Sequence, residues 1–401
     1  MMSGSERDWP HVVVLEPHSA GLALARTMVK AGARVTMIAQ PGNDWETHSR
    51  GVESVVADFG PRGEAWLEAI ERLARGSGRL AVLSASDRSS ELLAHAGERL
   101  PANALAFERG DSAHLTLMHK ETAEGVARRA GVKVPWTTAV RTLDELEALA
   151  GEAPWPCVVK PILAHLWGGR YGDGQVFIVR DAGEAAQRLK APLEQGLGML
   201  LSQYVPGGDD HMEEAIVVRL ADGSYPVAFG CRKLRQSPLG FGATALGVSD
   251  PLPETTALAR AVLDEAGFVG VAGVEAKRHA ATGERWFIEV NVRMPAQWGL
   301  GDAAGADASR RLVAALAGRR LGPAPVARAG VNLVVPLLDA RSTRTLLRKA
   351  PMWRRPALAT RLFLPYLRAR EVGLLDPRDP GPGIAALRAV VGRGVKRRTE
   401  R

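Results

Sequence analysis

Cysteine is scarce in this chain of 401 residues, which contains only Cys157 and Cys231. The two lie far apart and lack the close spacing of metal-binding cysteines, so the sequence excludes a disulfide framework and favours a reducing cytoplasm. Long hydrophobic runs are also missing, because no apolar run approaches the roughly 20 residues that a membrane-spanning helix needs. The apolar run 11–15 is too short for the hydrophobic core of a secretion signal. We therefore expect a cytoplasmic globular protein.

Charge is abundant but unevenly distributed. Hydrophobic residues make up 46% and charged residues 24%, as is ordinary for globular proteins, and the length allows two or three domains. Residues 321–401 contain 17 Lys and Arg but only 5 Asp and Glu, while the net charge of the whole chain is +8, so the remainder is net acidic. This basic region can contact an anionic membrane surface, nucleic acid or an acidic partner, or it can simply be a solvated helical face.

Two features narrow the alternatives for the basic region. Its aromatic residues are not regularly interleaved with the basic ones and the presumed core is acidic, so we predict no nucleic-acid partner. The run 351–370 mixes Trp, Phe, Leu and Arg as interfacial helices do, but Pro351, Pro356 and Pro365 argue against one long helix. A peripheral contact with the inner membrane surface stays open, and a homodimer is the expected oligomer.

The first third of the chain alternates strand and helix patterns. Apolar runs at 11–16, 33–40, 52–58 and 79–87 predict strands, and amphipathic stretches between them predict helices. This βαβ rhythm predicts a Rossmann-like parallel sheet. The first strand–helix turn lacks the Gly-x-Gly-x-x-Gly pattern, so NAD is not assigned. Asp87 follows a strand at the ligand-binding edge of such a sheet, although a helix N-cap is an equal alternative.

A pair of strand-like runs in the last third of the chain, 273–278 and 285–293, carries the strongest chemical pattern. Side chains alternate along a strand, so Glu289, Asn291 and Arg293 share one face, and Glu275 joins them if the two runs pair as a hairpin. Two carboxylates and a carboxamide suit Mg²⁺, and the arginine can reach a bound phosphate or carboxylate. Taken alone, a solvated surface hairpin explains the pattern equally well.

Further motifs suit phosphate binding. Lys120 lies in a helical stretch and Lys160 near the end of a buried strand, where an unpaired charge is costly unless an anion binds it. A flexible loop follows Lys160, and its backbone N–H groups can cover phosphates. Its glycines are Gly168, Gly169, Gly172 and Gly174.

A strand that ends at Gln203, Tyr204 and Val205 leads into a Pro-Gly-Gly turn. Such a linker can offer backbone groups to an adenine edge, and the carboxylates that follow, Asp209 and Asp210, can accept hydrogen bonds from ribose hydroxyls. A later strand ends in a cationic cluster that can pair with carboxylates and phosphates. The cluster comprises Arg232, Lys233 and Arg235.

The order of these motifs resembles the ATP-grasp superfamily over roughly residues 10–320. The segments 231–247 and 292–307 look most like its carboxylate–amine ligase group, which includes D-aspartate ligase-like proteins. The resemblance implies an α/β fold, in which a Rossmann-like domain (1–113) precedes a two-lobed α+β ATP-grasp domain (114–320). Its small lobe would span about 120–203 and its large lobe about 204–320. A basic, mostly helical extension (321–401) would follow.

The resemblance also implies a role for each motif. Lys120 and Lys160 would hold the α- and β-phosphates of ATP, and the loop 167–174 would close over the triphosphate. Gln203, Tyr204 and Val205 would meet adenine, and Asp209 or Asp210 would hold the ribose. Two positions depart from the usual pattern, since Gln203 stands in place of Glu and His119 precedes Lys120 in place of Asp. The implied Mg²⁺ ligands are Glu275, Glu289 and Asn291, and the implied catalytic cations are Arg293, Arg232, Lys233 and Arg235.

The implied activity is an ATP-dependent carboxylate–amine ligase. ATP with Mg²⁺, or alternatively Mn²⁺, would activate a small-molecule carboxylate as an acyl phosphate, which an amine would then convert to an amide with release of ADP and phosphate. An ATP-dependent phosphotransferase and a non-catalytic ATP-binding sensor are the alternatives. Neither the two substrates nor a free, peptidyl or lipid-linked acceptor can be chosen from the sequence.

Overall fold

The computed structural model describes residues 9–60, 62–110, 112–162 and 176–389. The predicted phosphate-covering glycines Gly168, Gly169 and Gly172, together with Gly174, lie outside these ranges. Their assignment therefore stays a prediction.

The N-terminal part of the chain forms a five-stranded parallel sheet in the order β3-β2-β1-β4-β5. Strands β1, β2 and β4 are buried along their whole length, as expected for a parallel sheet that is covered on both faces. The parallel sheet predicted from the βαβ rhythm is thus confirmed. The strands are β1 (His11–Leu15), β2 (Val35–Ala39), β3 (Val52–Val56), β4 (Leu80–Ser84) and β5 (Ala104–Leu105), and the helices are α1 (His18–Lys30), α2 (Glu64–Arg75) and α3 (Asp87–Ala96).

A second, smaller sheet follows helices α4 (Ser112–Met118) and α5 (Lys120–Arg129). It has four antiparallel strands in the order β6-β9-β7-β8. Alternate residues of its strands point into a separate core, to which the helix Ala182–Glu194 (α7) contributes Leu189. The elements are β6 (Thr137–Val140), α6 (Leu143–Ala148), β7 (Cys157–Pro161), β8 (Phe177–Val179), α7 (Ala182–Glu194) and β9 (Met199–Gln203).

The third sheet has seven strands in the order β14-β13-β10-β11-β12-β15-β16. Neighbouring strands from β14 to β15 pair antiparallel, and β15 pairs parallel with β16. Its strands are β10 (Met212–Arg219), β11 (Val227–Ser237), β12 (Ala243–Ser249), β13 (Gly270–Arg278), β14 (Arg285–Asn291), β15 (Asn332–Val334) and β16 (Ala369–Glu371). Its helices are α8 (Pro253–Glu265), α9 (Trp298–Ala304), α10 (Ala308–Leu316), α11 (Pro336–Lys349) and α12 (Arg355–Phe363).

One continuous apolar core joins the first and third sheets. Leu22 and Met28 of α1 share this core with Phe229 of β11 and Trp298 of α9. Helices α1 and α9 approach so closely that a Cβ on Gly299 of α9 would lie 2.8 Å from the Cβ of Ala23 in α1. The N-terminal sheet is therefore fixed against the large sheet.

The basic C-terminal region contains strands as well as helices. It adds β15 and β16 to the edge of the large sheet, and residues 381–389 are helical. The helices α11 and α12 are separate, and Pro351 and Pro356 lie at the interruption, as predicted. No helix in the described ranges is long and apolar enough to cross a membrane.

Candidate active site

A cavity of about 470 Å³ lies between α5, the four-stranded sheet and the seven-stranded sheet. Motifs that are far apart in the sequence converge on it. The predicted residues that line it are Lys120, Lys160, Gln203, Tyr204, Val205, Lys233, Glu275, Glu289, Asn291 and Arg293.

The predicted carboxylate hairpin forms one wall of this cavity. Glu275 and Glu289 lie directly opposite each other on β13 and β14, which pair antiparallel. Asn291 lies two residues further on, and its Oδ1 accepts a hydrogen bond of 3.1 Å from Nη2 of Arg293. Glu289 is exposed to the cavity, and the negative charge of Glu275 raises the pKa of Glu289. A cation between the two carboxylates would relieve their repulsion.

Lys233 of β11 places a cation directly against these carboxylates. Its Nζ donates to Oε1 of Glu275 at 2.7 Å, and the lysine is only 3% exposed. Burial alone would lower the pKa of Lys233, but Glu275 and Glu214 hold it above its ordinary value. Lys233 is therefore a buried, permanently charged ammonium group at the cavity wall.

Glu214 is a functional candidate that the sequence did not reveal. It lies on β10 opposite Glu275, so three carboxylates form a row across adjacent strands. Glu214 is fully buried, and neither of its carboxylate oxygens has a hydrogen-bond partner among the described residues. Burial and then the charge of Glu275 raise the pKa of Glu214 to about 8. Near neutral pH this carboxyl is therefore mostly protonated, and a cation bound beside the row would favour its ionised form.

The donor set of this wall fits a hard divalent cation. Glu275, Glu289 and Asn291 supply carboxylate and carboxamide oxygens, and the unpartnered oxygens of Glu214 lie beside them. Within the described ranges, no group of three or more His, Cys, Asp or Glu side chains is arranged as a preformed metal site. Mg²⁺ is usually held by one or two carboxylates together with phosphate oxygens of a substrate, and Glu275 and Glu289 provide such a pair.

Two lysines occupy the opposite side of the cavity. Lys160 lies near the end of β7, as predicted, and Lys120 begins α5, where its Nζ is 3.8 Å from Glu124. Burial and then the nearby charge of Lys120 lower the pKa of Lys160 to about 8. A polyanion bound beside these two ammonium groups would favour the charged form of Lys160.

The predicted adenine linker also lines the cavity. Backbone N–H groups fix it to the small sheet, since Gln203 donates to Trp136 and Tyr204 donates to Pro156. Beside it lies Lys277 of β13, which the sequence analysis missed and whose ammonium is 4.8 Å from the ring of Tyr204. Burial lowers the pKa of Lys277.

Asp209 and Asp210 do not line the cavity. Asp209 instead accepts hydrogen bonds of 2.8 Å from the backbone N–H groups of Gln236 and Gly240, and Asp210 contacts His211 at 3.0 Å. Asp209 thereby holds the loop between β11 and β12, whose residues 240–242 do line the cavity. The sequence predicted a contact of Asp209 with ribose, whereas the contacts observed for Asp209 are with this loop.

Two of the three predicted cluster cations point away from the cavity. Arg232 lies on the other face of β11 from Lys233 and pairs with Asp250 at 3.1 Å. A bulge between Lys233 and Arg235 changes the alternation. Arg235 makes two hydrogen bonds, of 2.7 and 3.1 Å, to Asp339 of α11. Arg232 and Arg235 thus form structural ion pairs, and the prediction that they face the reacting groups is corrected.

Arg293 links the cavity to the N-terminal sheet. Its Nε donates to Oδ1 of Asp87 at 2.8 Å. Asp87 is the first residue of α3, and the N-cap is Ser86, whose Oγ accepts from the backbone of Ser89. The alternative that Asp87 caps the helix is therefore wrong, and the carboxyl edge of the N-terminal sheet reaches the site.

The residues missed from the sequence, Glu214 and Lys277, have a weak common signal. Each lies within a strand pattern rich in buried residues, where a charged side chain is costly. Glu213 and Glu214 together open such a run, but Glu213 pairs with Arg285 at 3.1 Å outside the cavity. Which of Glu213 and Glu214 faces the cavity depends on how β10 pairs with its neighbours, and the sequence does not specify that pairing.

No family model matches the sequence and no curated protein matches it, whereas solved structures do. An N5-carboxyaminoimidazole ribonucleotide synthetase in complex with ADP matches with a TM-score of 0.62 at 18% identity, over 84% of this chain and 86% of that one. A biotin carboxylase–ATP complex from Campylobacter jejuni matches with a TM-score of 0.59 at 14% identity, over 82% and 75%.

A third match is the biotin carboxylase domain dimer of the Hydrogenobacter thermophilus 2-oxoglutarate carboxylase, with MgADP and bicarbonate. Its TM-score is 0.59 at 16% identity, over 81% of this chain and 74% of that one. At these identities the matches establish architecture. The ATP-grasp fold predicted from the sequence is therefore confirmed.

Proposed function

We propose that this chain is an ATP-dependent carboxylate–amine ligase that forms an amide or peptide bond and releases ADP and phosphate. One observation carries the proposal. Glu275 and Glu289 face each other beside Arg293, and Lys120 and Lys160 line the same cavity. Acidic oxygens for a metal and ammonium groups for a polyphosphate thus meet where a nucleotide and an activated carboxylate would have to lie.

The nucleotide would occupy the side of the cavity formed by α5 and the small sheet. Lys120 and Lys160 would hold the α- and β-phosphates, and Gln203, Tyr204 and Val205 would contact adenine. Asp209 and Asp210 are left out of the ribose role because neither lines the cavity. Glu275, Glu289 and Asn291 would bind Mg²⁺, with Mn²⁺ as an alternative, and Gly168, Gly169 and Gly172 would cover the triphosphate. When bound, the metal would neutralise charge on the transferring phosphoryl group.

Arg293 and Lys233 would act on the carboxylate substrate. Transfer of the γ-phosphoryl group to a carboxylate oxygen would make an acyl phosphate. Attack by an amine would then form the C–N bond and expel phosphate. Arg293 and Lys233 carry positive charge at the cavity wall, where they would stabilise the developing oxyanion. Arg232 and Arg235 are left out of these roles because Asp250 and Asp339 hold them elsewhere.

Bicarbonate is a specific candidate for the carboxylate. The structural neighbours include enzymes named as biotin carboxylases, one of them with bound bicarbonate. We therefore include bicarbonate beside amino acids, peptides and other small carboxylates. The carboxylate–amine ligase group with D-aspartate ligase-like proteins stays a prediction from the sequence.

The test is phosphate release from ATP and Mg²⁺ over a matrix of carboxylates and amines, with mass spectrometry of the products. The proposal predicts release that requires both substrates and a product whose mass equals their sum minus water. Release of ADP without free phosphate, together with a stable phosphorylated product and no amide, would instead identify a phosphotransferase. ATP binding without turnover on any pair, including peptidyl and lipid-linked amines, would favour the non-catalytic sensor.

The proposal includes a cytoplasmic location at the inner membrane surface and a homodimeric state. The 2-oxoglutarate carboxylase neighbour is named as a dimer. Light scattering of the purified chain would measure its mass, and a monomer at micromolar concentration would remove the dimer from the proposal.

A further inference from the structure

The segment 341–370 has an unusual charge composition. It contains nine Lys and Arg and no Asp or Glu. The described residues provide no acidic ion-pair partner for any of the nine. These cations are Arg341, Arg344, Arg348, Lys349, Arg354, Arg355, Arg361, Arg368 and Arg370.

Large apolar side chains on the same segment are exposed. Trp353 is 74% exposed and Leu367 is 81% exposed, and Met352, Phe363 and Leu364 are each more than half exposed. Single exposed apolar residues are common, but five within sixteen positions mark an interaction surface. We call residues 341–370 the basic apolar face.

The basic apolar face also contains a small open cavity. Its volume is about 340 Å³, and Arg344 and Arg348 of α11 and Arg355 and Phe363 of α12 line it. Guanidinium groups bind phosphate oxygens bidentately, and the aromatic wall suits the apolar part of the same molecule. The cavity therefore fits an amphiphile with an anionic head.

The base of this face is firmly packed, so its exposure does not reflect an unfolded segment. Asp339 is fully buried and accepts from Arg235 and from the hydroxyl of Tyr366 at 2.6 Å. Asn332 of β15 donates to the carbonyl of Pro365 at 2.8 Å. The large sheet therefore holds α11 and α12 rigidly while their outer surface stays uncovered.

We propose that the basic apolar face docks on an anionic phospholipid bilayer. Met352, Trp353, Leu364 and Leu367 would enter the headgroup region, and the arginines would bind lipid phosphates. Nucleic acid fits less well, because its protein interfaces are more polar than this group of exposed Met, Trp, Phe and Leu side chains. This inference does not depend on the ligase activity.

The docked face would lie close to the cavity of the candidate active site. Ser342 of α11 donates a hydrogen bond of 2.6 Å to the backbone carbonyl of Gln236, a residue that lines that cavity. A bilayer below α11 and α12 would therefore be one strand away from the proposed site of chemistry.

Vesicle flotation with the full chain tests the proposal. We expect binding to vesicles of phosphatidylcholine with about one third phosphatidylglycerol, and little binding to phosphatidylcholine alone, since each cation near an anionic surface contributes about fivefold to partitioning. Two double variants probe the face: Trp353→Ser with Leu367→Ser, and Arg348→Glu with Arg355→Glu. Each should reduce partitioning at least about tenfold.

The controls carry the same double Arg-to-Glu change, and a Leu-to-Ser change, at exposed positions outside the basic apolar face. Arg72→Glu with Arg75→Glu alters exposed arginines of α2, and Leu387→Ser alters a leucine that is 66% exposed. These controls should float like the original chain. Thermal unfolding of every variant checks that the fold is kept. Absence of flotation with the anionic vesicles, or equal losses in the face variants and the controls, would overturn the proposal and favour a protein partner as the occupant.

Discussion

At the scale of single residues, we predict that two substitutions in the cavity wall lower turnover without affecting the fold. Glu289→Gln removes one carboxylate charge beside Glu275, and Arg293→Ala removes the cation hydrogen-bonded to Asn291. Each change should lower turnover about 10²–10³-fold, because charge stabilisation at the reacting groups is lost while the fold is unaffected. Steady-state phosphate release with the identified substrates measures the effect.

The control for this prediction is Glu98→Gln, an exposed carboxylate outside the cavity. It should keep the turnover of the unmodified chain, and all three variants should keep its melting temperature. Near-normal turnover by both Glu289→Gln and Arg293→Ala would show that the assigned wall is not the site of chemistry.

Glu46 makes a second residue-scale prediction, remote from the cavity. It is 6% exposed, and burial raises its pKa to about 7. A carboxyl with a raised folded-state pKa contributes stability fully below its unfolded pKa near 4.5, and this contribution is lost as the pH rises through 7. Glu46→Gln should therefore match the original chain at pH 4.5 and exceed its free energy of unfolding at pH 8 by on the order of 2–3 kcal/mol.

Urea denaturation at the two pH values would measure this difference. The exposed Glu71→Gln on α2 is the control and should show no such pH dependence. A Glu46→Gln variant that is less stable at pH 8 than at pH 4.5, relative to the original chain, would mean that a cation compensates the ionised carboxylate.

At the scale of elements, the buried ion pair between Arg235 and Asp339 holds α11 against β11. Arg235→Met would leave the Asp339 carboxylate buried without its cation, which costs about 3–5 kcal/mol of unfolding free energy. The double variant Arg235→Met with Asp339→Leu removes both charges and should lose distinctly less. Equilibrium unfolding of the two variants compares them, and equal losses would mean that packing around α11, and not the buried charge, sets the cost.

Elements also show where prediction from the sequence succeeded. The strand that carries Lys160 and the hairpin that aligns Glu275 with Glu289 follow local patterns of apolar and charged residues, which the sequence displays directly. The prediction that Arg235 faces the reacting groups was wrong because a bulge in β11 turns its side chain toward α11. Such bulges, and the register that places Glu214 beside Glu275, depend on neighbouring strands and have no signature in the sequence.

At the scale of the whole molecule, the sequence predicted the order of the domains along the chain but not the contacts between them. The ATP-grasp architecture followed from the succession of motifs. The joining of β15 and β16 to the large sheet, by contrast, depends on contacts between residues far apart in the chain. The same is true of the segment after β16, which returns to the N-terminal sheet.

Asp379 fastens that returning segment. Its carboxylate accepts from Nε of Arg26 at 2.8 Å, from Oγ of Ser49 at 2.6 Å and from the backbone of Arg50 at 3.2 Å. Burial opposes ionisation, but these hydrogen bonds hold the pKa of Asp379 below its ordinary value. The contact therefore stabilises the fold above the unfolded pKa of about 3.8 and weakens as the pH falls through the folded value.

Asp379→Ala should detach the C-terminal segment from the N-terminal sheet at neutral pH. The loss of a buried, multiply bonded carboxylate predicts about 2–4 kcal/mol lower stability and faster hydrogen exchange in residues 373–389 and 48–52. Asp376→Ala, in the same segment but paired only with the exposed Arg378, should leave exchange in 48–52 unchanged. Hydrogen exchange with mass spectrometry at pH 7 distinguishes the two. Equal protection of residues 48–52 in both variants would mean that the apolar core shared by α1 and the large sheet holds the N-terminal sheet without this contact.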